Sequence, residues 1–306
     1  MMSGRLLPQF STGALFLLLA WSSLLVNAEI SNGFSSCTNF FYKGTPPKGF
    51  DGAEYKQICQ RLQNQYRFAT LYDQTHRVAV YSAYTLNPAA GKRQDETWYY
   101  EPQLKDPQST QKEMISTDLV KEDEYKDSQA VERDYRGTLY TKGHLNPSMH
   151  HATVEDRDAT FTLTNMVPQR GGSNSGTWND YEKELVDKYS KYCNGEMYVI
   201  TGALPFEVVR NLQTDRVSIP EYLWSAYCCP SYKDKSPVSE FPSYAVVGRN
   251  DPNSGNNIVP VDQNVKGDRH GYDSRKMTLT QLEELLRSRL RMNNIQLFNG
   301  DCKVNK

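Results

Sequence analysis

Asp134-Tyr135-Arg136-Gly137-Thr138-Leu139-Tyr140-Thr141-Lys142-Gly143-His144-Leu145-Asn146-Pro147 is the densest cluster of chemically capable residues in the chain. A strand-like stretch ends at Lys142-Gly143, and His144 follows the glycine. Glycine there allows a tight backbone turn and leaves the imidazole projecting into open space. Histidine titrates near neutral pH, which suits it to general-base work. A single histidine in a turn serves structural ends more often than catalytic ones, so His144 needs partners before it implies a function.

Candidate partners lie downstream. Phe161-Thr162-Leu163-Thr164-Asn165-Met166-Val167-Pro168-Gln169 precedes Asn174-x-x-x-Trp178-x-x-x-Glu182, which places Asn165, Gln169 and Asn174 near a strand-to-helix junction. An amide oxygen is a hard ligand suited to Mg²⁺, which keeps most of its waters and takes few protein ligands. Asn174 and Glu182 stand eight residues apart, about 12 Å along a helix, so both could not ligate one ion closely. Glu182 would instead hold metal-bound waters or orient a neighbour. The alternative for Asn174 is a helix N-cap, a position at which asparagine is favoured.

Working outward, Val78–Leu86 is rich in β-branched and aromatic residues and ends at Asn87-Pro88, so it reads as a strand. Thr160–Met166, Glu196–Gly202 and Ser243–Gly248 read the same way. Trp178, Tyr181, Leu185 and Tyr189 sit at helical spacing within 174–192. A late helix carries Leu282, Leu285, Leu286 and Leu290 on one stripe, with Thr280-x-x-Glu283 as its capping box. Its closing Arg287, Arg289 and Arg291 match the helix dipole rather than a nucleic-acid surface. The polar segment from Gly91 to Asp134 reads as a long surface excursion with little regular structure. Strands and helices without a βαβ rhythm predict an α+β fold around a mostly antiparallel central sheet.

The first 28 residues read as a secretory signal peptide, with Arg5 as the positive flank, an apolar run over Gly13–Leu25 and cleavage after Ala28. No other apolar stretch approaches a membrane-spanning length. The expected mature chain, 29–306, is one secreted or lumenal domain. All six cysteines fall within it: Cys37, Cys59, Cys193, Cys228, Cys229 and Cys302. That number in an oxidising compartment reads as up to three disulfides with the pairing open, except that adjacent Cys228 and Cys229 would reach different partners. No CxxC spacing suggests zinc. Lys and Arg number 35 against 36 Asp and Glu, so no bulk positive field announces a polyanion partner, and a local site would have to hold one.

Taken together, Lys142-Gly143-His144 with Pro147, Phe161–Gln169, and Asn174-x-x-x-Trp178-x-x-x-Glu182 resemble the signature of the DNA/RNA non-specific endonucleases, the ββα-metal nucleases that include endonuclease G. The leader, Val80-Tyr81-Ser82-Ala83-Tyr84 and the scattered cysteines resemble its endonuclease domain-containing 1 protein-like branch. The resemblance covers a core of about residues 60–250. It implies metal-dependent phosphodiester hydrolysis of DNA, RNA or both, with Mg²⁺ or another divalent cation such as Mn²⁺ as cofactor. It implies catalytic roles for His144 as general base, Glu182 on the metal helix and Arg93 toward the phosphate, substrate contacts from Lys142 and Asn165, and Asn174 as metal ligand. No membrane contact is expected after leader cleavage.

The family motif usually reads Asp-Arg-Gly-His, whereas this chain has Thr141 and Lys142 in the first two places. Lysine keeps the charge but loses the planar fork that grips phosphate bidentately, and Thr141 loses a carboxylate that would order the loop. Neither change removes the expected base or metal ligand, so activity is expected. The alternative is a weakened nuclease fold kept as a nucleic-acid-binding or protein-interaction module. His150 and His151 are expected to be loop residues rather than a metal pair, because neighbours in an extended stretch point opposite ways.

Overall fold

Two consecutive residues with positive φ, Gln63 (53°) and Asn64 (59°), fold the chain back on itself between β1 (Tyr55–Leu62) and β2 (Gln65–Asp73). That conformation matches the twist of a two-residue hairpin. The computed structural model describes residues 1, 30, 33–89, 91–92, 97–212, 215–233, 235–300 and 302. Arg93 and residues 2–28 of the expected leader lie outside them.

The remaining strands are β3 (Val78–Leu86), β4 (Tyr99–Tyr100), β5 (Ile115–Ser116), β6 (Tyr140–His144), β7 (Met166–Arg170), β8 (Met197–Pro205), β9 (Pro220–Cys228), β10 (Ser243–Arg249) and β11 (Ser274–Met277). The helices are α1 (Pro102–Lys105), α2 (Val154–Ala159), α3 (Trp178–Glu184) and α4 (Leu279–Leu290). Seven strands form one sheet in the order β1-β2-β3-β8-β9-β10-β11, and every neighbouring pair is antiparallel. This is the expected α+β fold with an antiparallel centre.

One face of the sheet is apolar. Leu282 and Leu286 of α4 pack with Phe34, Phe41, Tyr81, Trp224, Val247 and Leu297. The N-cap of α4 is Thr278, which forms the capping box with Gln281, rather than the expected Thr280 and Glu283. Arg287 donates to the Ile295 carbonyl and Arg289 to Pro205 and Glu221, so these two arginines are bonded into the fold rather than left as a solvated helix end. Three disulfides, Cys37–Cys59, Cys193–Cys229 and Cys228–Cys302, tie the N-terminal segment, the end of the α3 helical run and the C-terminal segment to the sheet. Successive residues of a strand point to opposite faces, which sends Cys228 and Cys229 to different partners.

The opposite face carries a stripe of small polar groups across five strands. Gln60 Nε2 donates to Thr70 Oγ1 at 3.1 Å, the Thr70 and Ser82 hydroxyls lie 3.1 Å apart, and those of Thr201 and Ser225 lie 2.9 Å apart. Apolar clusters flank the stripe, one around Tyr84, Leu185 and Tyr227, the other around Leu145, Val167, Trp178 and Val246. A two-stranded ribbon, β6 with β7, and the helical run that follows it lie on this side.

Two expectations need correction. Residues Thr160–Met166 are not a strand: Leu163–Asn165 form a 3₁₀ turn, and the strand begins at Met166. The segment from Gly91 to Asp134 is not merely a surface excursion either. Tyr100, Tyr125, Ala130 and Val131 are buried together with Leu163, Phe206 and Ile219 in a small core of their own.

Candidate nuclease site

The β6–β7 register sets Tyr140 opposite Arg170, Thr141 opposite Gln169, Lys142 opposite Pro168, Gly143 opposite Val167 and His144 opposite Met166. Gly143 is therefore inside the strand, and His144 is its last residue rather than the residue after a turn. The glycine is needed for close approach: a Cβ would stand 2.6 Å from Gln169 Cβ. Side chains alternate along a strand, so Lys142 and His144 share one face of β6, and Thr141 and Gly143 the other.

On the His144 face the imidazole meets Phe161 edge-on at 4.5 Å and Trp98 at 6.3 Å. Lys142 Nζ lies 3.5 Å from the Trp98 ring centroid and 2.9 Å from Glu132 Oε1. The expected phosphate-binding charge is thus neutralised within the fold by Glu132. Trp98 and Glu132 escape a sequence reading because both lie in the polar segment, where nothing in the pattern ties them to His144.

On the other face Asn174 Nδ2 donates to Thr141 Oγ1 at 2.9 Å, and Thr141 Oγ1 donates to the Gln169 carbonyl at 3.0 Å. Asn174 sits in a widened turn, Ser173–Thr177, before the regular helix α3 begins at Trp178. The N-cap positions are held by Gly172 for this turn and by Thr177 for α3, so Asn174 is not the N-cap. Because Nδ2 is held, the amide is fixed and its oxygen Oδ1 is the group left to accept or ligate. The Thr141 hydroxyl does the ordering that a carboxylate was expected to do. Thr141 and His144 are three residues apart, about 10 Å along the strand, so both sit on one short, rigid piece.

Asn165 corrects a further expectation. It is fully buried and makes four hydrogen bonds: Oδ1 accepts from Ser82 Oγ (2.8 Å) and the Asn146 amide (3.0 Å), and Nδ2 donates to the carbonyls of Asn146 and Thr160 (2.9 Å each). Its amide capacity is filled by the protein, so it is not placed to contact substrate. It anchors the chain immediately after His144 to the polar stripe of the sheet.

His150 and His151 are both buried and internally bonded. His150 Nε2 faces the Glu182 carbonyl at 3.1 Å, so it must carry the proton, and Nδ1 then accepts from the Tyr84 hydroxyl at 2.9 Å. Burial pushes the His150 pKa down to about 3, which keeps the ring neutral. His151 Nε2 lies 2.7 Å from Asn146 Oδ1. Both are buried structural histidines rather than the loop residues expected. Glu182 is half-buried in area, yet loss of water around its carboxyl pushes its pKa up to about 8.

Among the described residues no group of three or more His, Cys, Asp or Glu side chains could hold a metal ion. The donor chemistry that fits a divalent cation is the hard amide oxygen of Asn174, with water completing the shell.

A sequence model of DNA/RNA non-specific endonucleases matches residues 52–289. Endonuclease domain-containing 1 protein of Mus musculus is 36% identical over 202 residues, covering 64% of this chain and 39% of that protein. Its Homo sapiens counterpart is 34% identical over 222 residues, covering 71% and 43%. Mitochondrial endonuclease G of Homo sapiens is 37% identical over 76 residues, covering 24% and 25%. This chain spans less than half the length of these curated relatives. The chain belongs to the DNA/RNA non-specific endonuclease family, in the branch similar to endonuclease domain-containing 1 protein.

Proposed function

We propose that this chain is a secreted or lumenal, divalent-metal-dependent endonuclease that hydrolyses phosphodiester bonds of DNA, RNA or both with little sequence preference. The observation that carries the reading is the Asn174–Thr141 hydrogen bond, which fastens the proposed metal-binding turn to the strand that bears His144. Three disulfides support an oxidising destination.

His144 takes a proton from a water positioned at the phosphorus. The water oxygen forms the new P–O bond, and the bond to the departing sugar oxygen breaks. Phe161 packs edge-on against the imidazole and limits its rotation. Asn165 fixes the backbone that follows His144, so the base approaches the reacting phosphate from a set position. A bound Mg²⁺ or Mn²⁺, held by Asn174 Oδ1 with Glu182 supporting its waters, would supply charge stabilisation to the phosphate oxygens.

The Glu132–Lys142 pair favours the second reading, a weakened nuclease fold that binds nucleic acid without efficient turnover. Incubating the full chain with plasmid DNA and with RNA, in Mg²⁺ and in EDTA, beside His144→Ala, separates the two. Cleavage by the wild type in Mg²⁺ alone, lost in the variant, is expected. Intact substrates across pH 5 to 9 with Mg²⁺, Mn²⁺ or Ca²⁺ would end the enzyme reading, and equal cutting by the variant would end the assignment of His144.

A further inference from the structure

With Lys142 neutralised, the His144 face needs another cation, and we propose that Arg170 holds a phosphate flanking the one that is cut. This rests on the nuclease reading above. Arg170 closes β7 directly opposite Tyr140. Opposed residues of an antiparallel pair share a face, and alternate residues of one strand do too, so Tyr140, Lys142, His144 and Arg170 lie on the same side of the ribbon.

The Arg170 guanidinium lies 4.8 Å from the Tyr140 ring centroid. Stacking of this kind orients the planar fork while leaving its edge N–H groups to donate. Among the described residues no carboxylate comes within 4.0 Å of Arg170, and its Nε is buried without a hydrogen-bond partner. Lys142 is the opposite case, paired at 2.9 Å. The two cations of this face therefore divide the work: Lys142 fastens Trp98 and Glu132 beside His144, and Arg170 keeps its charge for an external anion.

Tyr140 and His144 are four residues apart, about 13 Å along β6, too far for Arg170 to touch the phosphate that His144 serves. It meets the same backbone farther along. The next two residues, Gly171 and Gly172, line an open hollow with Ser175, Asp268, Arg269 and His270, and Arg269 is paired with Asp180 at 2.5 Å, so among the described residues Arg170 is the cation at this edge left to an external anion. On a chain of net charge −1, one uncompensated guanidinium in the path of a polyanion is a large local term.

The test uses the full chain carrying His144→Ala, so that substrate is not consumed, with a fluorescein-labelled 20-base-pair DNA duplex and anisotropy read from 50 to 200 mM NaCl. Adding Arg170→Gln is expected to weaken binding about fivefold at 50 mM and to lower the slope of log K against log[salt] by about one. Arg170→Lys is expected to keep the slope. Thermal melting confirms that each variant is folded. Unchanged affinity and slope in Arg170→Gln would overturn the proposal, as would an equal loss in Arg170→Lys, which would mean that packing on Tyr140 matters and charge does not. Plasmid cleavage by the wild-type chain separates the levels: if it cuts and Arg170→Gln binds as the parent does, only the Arg170 proposal falls. If the wild-type chain does not cut and the His144→Ala parent does not bind, the nuclease reading falls with it.

Discussion

The two faces of the seven-stranded sheet are held by different chemistry. Beneath α4 the contacts are apolar and tolerant: Leu282, Leu286, Trp224 and Val247 fill space without hydrogen-bond geometry to satisfy. Beneath the β6–β7 ribbon the sheet presents Gln60, Thr70, Ser82, Thr201 and Ser225, and Asn165 bonds to Ser82 while holding the backbone of Asn146. Apolar burial is non-directional, whereas a buried amide is satisfied in one orientation only. The side that carries His144, the proposed base, is the side built from directional bonds.

Asn165→Ala gives the largest expected effect. It leaves Ser82, Asn146 and Thr160 groups unsatisfied in the interior, at a cost of roughly 3 to 5 kcal/mol, and frees the chain after His144. Urea denaturation should show that loss, and nuclease activity per folded molecule should fall at least tenfold. Full activity in the folded fraction would break the comparison.

Leu286→Ala, on the other face, is expected to lose about 3 kcal/mol through lost burial and a residual cavity. Activity of the folded protein should be unchanged. A drop in activity comparable to that of Asn165→Ala would show that the two faces are not independent.

The pH dependence of stability comes next. Burial raises Glu101 and Glu182 from 4.5 to about 8, and lowers His150 from 6.5 to about 3 and His151 in the same direction. Between pH 4.5 and 6.5 the folded chain keeps two carboxyl protons that the unfolded chain sheds, while the unfolded chain takes two imidazole protons that the folded chain refuses. The two effects oppose, so the slope there should be near zero. From pH 6.5 to 8 only the carboxyls differ, and stability should fall as pH rises, on the order of 3 kcal/mol. Below pH 4.5 the two histidines and the carboxyls of Asp123, Glu124 and Glu184, which paired cations hold low, act in the same direction, and stability should fall as pH falls. Urea melts in EDTA at pH 4, 5, 6, 7 and 8 read this directly, and a rise in stability from pH 6.5 to 8 would refute it.

Thr141→Val carries the smallest effect. It keeps the shape but removes the acceptor of Asn174 Nδ2, so the Mg²⁺ concentration for half-maximal activity should rise about tenfold with most activity recovered at saturation. An unchanged Mg²⁺ dependence would detach Asn174 from the metal.

The strand readings over Val78–Leu86, Glu196–Gly202 and Ser243–Gly248 agree with β3, β8 and β10 because apolar and β-branched residues run almost unbroken there. The β1 and β2 strands are illegible in the sequence. Gln60, Arg61, Arg67 and Thr70 interrupt their apolar pattern, and those polar residues are explained only by what lies above and beside them: Thr164 over Gln60, and Asp156 against Arg67. Thr160–Met166 has strand composition, but its hydroxyls and Asn165 bond inward and turn the backbone into a 3₁₀ segment.

Within the candidate site the sequence alone determined the chemical inventory: a histidine, an asparagine amide and a glutamate at the spacings of one family, with cysteines suited to an oxidising compartment. Those are properties of residue type and local spacing, which one chain carries on its own. Only the tertiary structure decided which charges remain available. Lys142 is cancelled by Glu132 ten residues away, Arg170 has no carboxylate partner among the described residues, Thr141 holds Asn174 from the strand, and Asn165 is turned inward. Availability is set by the partners that folding brings within about 3 Å, and for these residues the partners are remote in sequence or indistinguishable there from ordinary surface residues.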